Sequence, residues 1–303
     1  MRVFSLNCIP VPQSYTSDTS NPNIRSLGTI SKKSKMATQP VEKNSKSKRS
    51  LFLQIKEGIS DWVLMSPSSK AAIYWLVVLA GSFIHDFLPL PQSYLSNKRN
   101  VFNVYFVKLG WGWTLGLLIP FMSLTSFAYT SCNPTAMLKH LSRLAVGTFG
   151  WYFWVNLFVY IEELTGFCEG EDSLTSKRSC HLQGFHWDGF DISGHAFLLT
   201  HSALIISEEI QVKQWLPALE SEESVGRRPH ILLSPLIDLL FAGSSMLLIL
   251  WEFMLVCTTV YFHNVQQKVF GALIALFTWH VTYGIWYKSD PSPGVPWVPH
   301  KRF

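Results

Sequence analysis

Six stretches of about twenty mostly apolar residues dominate this 303-residue chain, near 71–90, 101–122, 141–161, 193–212, 236–260 and 267–287. Each is long enough to cross the ~30 Å hydrocarbon core of a bilayer as a helix. Lipid offers no partner to a bare N–H or C=O, so a segment in it must satisfy its own backbone, and a helix does so. The expected fold class is therefore an all-α polytopic membrane protein with six transmembrane helices. Composition agrees: 48% of residues are hydrophobic and 15% charged, against roughly 25% charged in soluble domains. These values exclude a soluble two-domain protein, a coiled coil and a disulfide-stapled secreted module. The fourth stretch, ISGHAFLLTHSALIISEEI, is the least apolar, with two histidines and several hydroxyls.

The charge is unevenly spread. Of 25 Lys and Arg residues, eleven precede Ala71, opposed there by four acids. Residues 1–50 are rich in Ser, Thr, Asn, Pro and Lys, show no helical or strand period, and read as a disordered basic cytosolic tail. Residues 51–70 read as an interfacial amphipathic segment, 71–290 as the six-span membrane domain and 291–303 as a cytosolic C-terminal tail. With the N-terminal tail inside, nineteen Lys and Arg fall on that side and five on the other. An excess of Lys and Arg marks the cytosolic side, so both termini are expected there. The acidic loop 162–190 then faces a lumen or the exterior. Its Cys168 and Cys180 either bond in an oxidising compartment or remain two free thiols.

Ionisable side chains inside a span cost several kcal/mol and so mark function by default. Here they are Lys108, His195, His201, Asp238, Glu252 and His280. His195 starts the fourth span and His263 follows the fifth, so two imidazoles from different helices arrive at one membrane face. Phosphoryl transfer suits such a pair: one neutral imidazole attacks phosphorus while a protonated one gives its proton to the leaving oxygen. Ser193 and Gly194 fall at a helix start, where free N–H groups and the dipole can hold a phosphate oxygen. Lys108, about 10 Å inside the second stretch, either meets that anion or snorkels to the interface. Structural readings compete. Asp191 or Ser193 would cap the fourth span, His195 would be a hydrogen-bonding post, and His263 an interfacial anchor. Glu162-Glu163 and Glu208-Glu209 read as solvated helix ends, and His280 as a bond to a neighbouring helix. Cys180, His181, His186 and Asp188 match no compact zinc spacing, so no metal is expected. No Walker loop, nucleophile elbow or dinucleotide fingerprint occurs, and no cofactor is expected.

Three blocks in this sequence, VFNVYFVKLGWGWTLGLLIPF, GFDISGHAFLLTHSALIISEE and LWEFMLVCTTVYFH…KVFGALIALFTWHVTYGIWY, resemble the fat storage-inducing transmembrane family over roughly residues 55–290. The resemblance implies a multi-pass protein of the endoplasmic reticulum membrane with six spans and both termini cytosolic. It also implies a fatty acyl-CoA diphosphatase yielding acyl 4′-phosphopantetheine and adenosine 3′,5′-bisphosphate from a luminal site, in support of lipid droplet formation. The family in turn looks like the lipid phosphate phosphatases. By that likeness Ser193-Gly194-His195 stands in the P-S-G-H position and His263 in the third-motif histidine position. Asp191-Ile192 replaces the phosphatases' proline, and no Ser-Arg precedes His263. The first motif has no clear equivalent, which leaves Lys108 and Lys268 as stand-ins for neutralising phosphate. The implied roles are catalysis for His195 and His263 and substrate binding for Ser193, Gly194 and Lys108. The implied partners are long-chain acyl-CoA, di- and triacylglycerol and membrane lipids, with no nucleic acid. The alternative is a non-catalytic scaffold that binds di- and triacylglycerol and partitions neutral lipid into droplets.

Overall fold

The computed structural model describes residues 53–294 except 55, 89, 130–133, 172, 215–227, 290 and 291. The expected tail at 1–50, and the C-terminal segment from 295 onward, lie outside the described residues. Met1–Ser60 form one unit, helical over 56–60, and Asp61–Phe303 the other, which holds the helical bundle.

Helix α1 spans Pro67–Phe87. The Ser66 hydroxyl accepts from the Ser69 N–H at 3.2 Å and Pro67 supplies a pre-set first φ. The second apolar stretch is split. A π-helix over Phe102–Val107 ends in a turn at Lys108–Leu109, and α2 runs only from Gly110 to Tyr129. Helix α3 spans Pro134–Thr165. Two three-residue strands follow, β1 (Phe167–Glu169) and β2 (His186–Asp188), paired antiparallel with Cys168 opposite Trp187. Between them lies α4, Lys177–Leu182. Helix α5 spans Gly194–Glu209, α6 Arg228–Tyr261 and α7 Val265–Trp279; α7 continues as a π-helix to Ile285 and a 3₁₀ turn to Lys288.

Six helices thus stand at the six apolar stretches. Four segments among the described residues are long and apolar enough to cross a membrane: Pro67–Phe87, Met137–Thr165, Leu233–Tyr261 and Val265–Lys288. Their outward side chains, such as Phe83, Phe149, Met246 and Phe277, are large, apolar and exposed. That is the surface lipid requires, and the protein is a multi-pass membrane protein. Helix α5 is different. It packs against α1, α2, α3, α6 and α7 and is buried on nearly every side. A helix enclosed by others need not be apolar, so α5 can carry Thr200, His201, Ser202 and Ser207.

The enclosed polar groups find partners inside the bundle. His201 meets the Gly147 carbonyl at 3.1 Å and stacks on Phe197. Glu252 of α6 accepts from Lys70 at 2.5 Å, Tyr74 at 2.6 Å and Trp62 at 2.7 Å. Arg143 of α3 forks onto Glu209, with Nε to Oε1 and Nη2 to Oε2 both 2.7 Å, and the Tyr283 hydroxyl donates to the same carboxylate at 2.8 Å. Trp279 donates to Glu208 at 2.9 Å. The Glu208-Glu209 pair is therefore not the solvated helix end that its position suggests. Both carboxylates are tied to neighbouring helices, and Glu209 is buried. Asp238 is paired with Lys213. His280 is exposed and lies against Gly284, one turn on.

The Arg143–Glu209 pair joins α3, α5 and α7 in a site without water to screen a lone charge. Arg143→Met or Glu209→Met alone is expected to cost about 3–5 kcal/mol, because the surviving charge is stranded. The double replacement should recover most of that loss. Melting temperatures of the three purified variants in detergent check this; additive losses in the double variant would contradict it.

Candidate active site

The chain between α3 and α5 folds back over the end of α3. Cys168 and Cys180 are bonded, with their Cα atoms 5.8 Å apart, so the pairing is the one of the two alternatives that the structure contains. Trp187 packs on that disulfide, and its indole N–H points to the Glu162 carbonyl at 3.4 Å. Lys177 reaches the Glu162 side chain at 2.5 Å. Gly166 and Gly189 permit this return: a Cβ on Gly166 would stand 2.1 Å from Trp187 Nε1, and one on Gly189 2.4 Å from the Glu162 carbonyl oxygen. The Phe190 N–H donates to Thr165 Oγ1 at 3.0 Å, and the Phe190 ring meets Phe270 edge-on. Residues 189–192 are thereby held where α5 begins.

Ser193, not Asp191, is the cap of α5. Its hydroxyl accepts from the Ala196 N–H at 3.3 Å, while its own N–H donates to the Gln267 carbonyl of α7 at 3.0 Å. That bond requires the two helices to touch. Gly271 makes the contact possible, since a Cβ there would lie 2.5 Å from the Ser193 carbonyl oxygen. The Ser193 N–H is consequently spent on the fold and is not open to a phosphate, contrary to a simple helix-start reading. Ser193 is fully buried, so what remains for a ligand is the space beside Gly194, where nothing lies within 4 Å of a Cβ position.

His263 sits in the turn joining α6 to α7, with φ of +58°, the one non-glycine residue in the left-handed region among the described residues. Helices usually end there on glycine, and a β-carbon costs about 1 kcal/mol or more. The conformation aims the imidazole back at its own next helix. His263 Nδ1 stands 3.1 Å from Gln267 Oε1 and 3.8 Å from Asp191 Oδ2. Burial holds the Asp191 carboxyl above the usual carboxylate range, and the charge of His263 pulls it partly back. His195, on the first turn of α5, lies within coulombic reach of His263, Lys108 and Lys98.

The structure therefore gathers His195, His263, Ser193, Gly194 and Lys108 at one end of the bundle, with Asp191, Gln267 and Lys98 added. Lys108 is exposed, in the turn between the π-helix and α2, which starts at Gly110. Lys268 does not belong to the group. It is buried and its ammonium donates to the Thr259 carbonyl at 2.8 Å, capping the end of α6. Asp191 was visible in the sequence only as a rival helix cap. Gln267 and Lys98 carry no signal of their own there, being an ordinary amide in QQK and a loop lysine. Among the described residues no group of three or more His, Cys, Asp and Glu is arranged to hold a metal.

A lipid-embedded helical bundle with paired histidines, a carboxylate and lysines around one helix start defines a class: integral membrane proteins able to act on an anionic group. A profile described as "FIT: Fat storage-inducing transmembrane protein" matches residues 91–283. Relatives named "Acyl-coenzyme A diphosphatase FITM2" include those of Homo sapiens, 44% identical over 78% of this chain and 92% of theirs, and Xenopus laevis, 46% identical over 73% and 83%. The Drosophila melanogaster relative of the same name is 34% identical over 93% of this chain and 72% of its own. No solved structure matches. The chain belongs to the fat storage-inducing transmembrane protein family.

Gly271→Ala tests the α5–α7 contact directly. It should lower stability by about 1–3 kcal/mol through overpacking against Ser193, read as a fall in melting temperature; an unchanged melting temperature would mean the helices do not touch there.

Proposed function

We propose that this protein is a fatty acyl-CoA diphosphatase, cleaving the pyrophosphate of long-chain acyl-CoA to acyl 4′-phosphopantetheine and adenosine 3′,5′-bisphosphate. The observation that carries the reading is the convergence of His195 and His263, from different helices, beside Asp191 at the open start of α5. The shared name of the relatives supports the substrate. In the reaction, His263 Nε2 attacks phosphorus. The P–O bond to the leaving phosphate breaks, and that oxygen takes the proton carried by His195. Water then attacks the phosphohistidine, neutral His195 accepts its proton, and the P–N bond breaks to restore His263. Gly194 leaves room for phosphate oxygens at the helix start, which Ser193 holds in place as the cap of α5. Lys108 neutralises their charge, with Lys98 rather than Lys268 as the second cation.

The fold permits a clean test. His263→Gly removes the imidazole while suiting the left-handed turn, so the protein should fold at least as well as the parent. It and His195→Ala should each lower acyl-CoA hydrolysis ~100-fold or more. Parental turnover in both would sink the mechanism.

The membrane is that of the endoplasmic reticulum, with both termini cytosolic, six spans and the site luminal. The bond between Cys168 and Cys180 supports this, since disulfides persist in oxidising compartments. Ser173→Asn would create an N-x-T acceptor with Leu174 and Thr175 in the exposed loop. A glycan removable by glycosidase is the expected outcome, and an unmodified chain in reticulum membranes would put that loop in the cytosol.

A second reading, di- and triacylglycerol binding in support of droplet formation, rests on an apolar groove of about 270 Å³ between α2 and α3. Leu115, Ile119, Leu141, Leu144, Ala145 and Thr148 line it. The groove and the histidine site share no residue, so the two activities are compatible.

A further inference from the structure

Proton accounting around one amide determines the form of His263. The Asn264 backbone N–H, which can only donate, points to the Gln267 side-chain amide at 3.4 Å. The amide atom facing it must therefore be the oxygen, which fixes the orientation of a group whose two ends otherwise look alike. His263 Nδ1 faces the same oxygen at 3.1 Å. An oxygen of this kind cannot donate, so Nδ1 must carry a proton. In a neutral imidazole Nε2 is then left with its lone pair.

We propose that Gln267 is a positioning residue for the phosphoryl-transfer step. It holds His263 as the Nδ1–H tautomer so that Nε2 is the attacking atom, and its backbone carbonyl ties the His195-bearing helix start to the same turn of α7. The assignment rests on the diphosphatase reading above and adds which nitrogen attacks and what makes it ready. Asp191, 3.8 Å from Nδ1, is the carboxylate that supports the positive ring once the P–N bond has formed. The division of labour is physical. A neutral amide orients the ring without placing a charge beside it. A carboxylate at full hydrogen-bond distance would favour the protonated ring and raise the pH at which the lone pair is free.

The same residue stitches the site together. Its carbonyl accepts the Ser193 N–H at 3.0 Å, two residues before His195. Both histidines are thus referred to the first turn of α7, one through the side chain and one through the backbone of Gln267. The charged groups facing His263 are Asp191, from the chain before α5, and His195, from α5 itself. Lys98, Lys108, Glu162 and Lys177 act on those two in turn.

The test compares full-length wild type, Gln267→Leu, Gln267→Glu and His263→Gly in detergent, with the Cys168–Cys180 bond and the melting temperature as controls for folding. Gln267→Leu removes the acceptor and should lower kcat ~10-fold or more with KM little changed. Gln267→Glu restores an acceptor but brings a charge within hydrogen-bond distance of Nδ1. Its activity should survive at high pH, while the acid limb of kcat/KM moves up by about one pH unit, because an adjacent carboxylate favours the protonated ring. A merely structural role for Gln267 would not move that limb. An unchanged acid limb in Gln267→Glu overturns the assignment, as does parental kcat in Gln267→Leu, when His263→Gly is inactive in the same assay. If His263→Gly is itself active, or the wild type does not hydrolyse acyl-CoA, the diphosphatase mechanism fails and the assignment falls with it.

Discussion

The close seam between α5 and α7 carries the rest of the arrangement. Ser193 can donate to the Gln267 carbonyl only because Gly271, one helical turn on, has no side chain. A backbone-to-backbone bond between two helices is unusual, since helix interiors spend their N–H groups internally. It is available here because the first N–H groups of α5 have no partner within α5. The cost of ending a helix inside a packed bundle is offset by a neighbour's carbonyl, which can accept a second bond. That solution sets the separation of the two histidine-bearing segments to a bond length and not to a loop's freedom. Packing from Ile192 and Phe197 against Phe158 and Ala275 then keeps the segment in place.

The far end of α5 is secured by a different interaction. Glu209 receives both prongs of Arg143 and the Tyr283 hydroxyl, so its charge is met by three donors in a region without water. Glu252 is satisfied in the same way by Lys70, Tyr74 and Trp62. Both carboxylates sit on helices that lie at apolar stretches of the sequence, and both would be untenable against lipid. Their partners come from helices remote in sequence, which makes these pairs markers of correct helix order as well as of stability. The enclosed helix is thereby held at each end by polar contacts, with its middle kept by packing and by the contact of His201 with the Gly147 carbonyl.

Hydropathy made the helices legible because bilayer thickness and backbone satisfaction leave little choice of structure. The polarity of the fourth stretch was equally legible, and its meaning was enclosure by the other helices. What the linear pattern could not supply was partnership. Glu209 read as a solvated terminus because Arg143 is 66 positions away. Lys268 read as a possible anion ligand because nothing in its neighbourhood shows the Thr259 carbonyl waiting for it. The turn at Lys108 was not legible because a π-helix and turn look like continuous helix in composition. Strands of three residues are too short to show a period, so the β1–β2 pair emerged only from the folded chain, which also decided for the Cys168–Cys180 bond over two free thiols. The paired histidines were visible as residue types at a common membrane face. Gln267, an unremarkable amide four residues after one of them, was not.

The length of α5 bears on where chemistry can occur. Sixteen residues cover about 24 Å, less than the ~30 Å of hydrocarbon, whereas α3 and α6, with 32 and 34 residues, cover about 48 and 51 Å. Irregular chain must make up the difference, and irregular backbone near membrane depth is tolerated only where protein or a wet cavity satisfies it. Residues 189–193 meet that condition through Thr165 Oγ1, the Gly189 carbonyl and the Gln267 carbonyl. The start of α5 is thus set by these partners, and beside it nothing lies within 4 Å of a Cβ position at Gly194. The same geometry accounts for a histidine in a left-handed turn, where glycine would fold more easily. The turn is the short link between α6 and α7, and its backbone sets the ring beside Gln267 and Asp191.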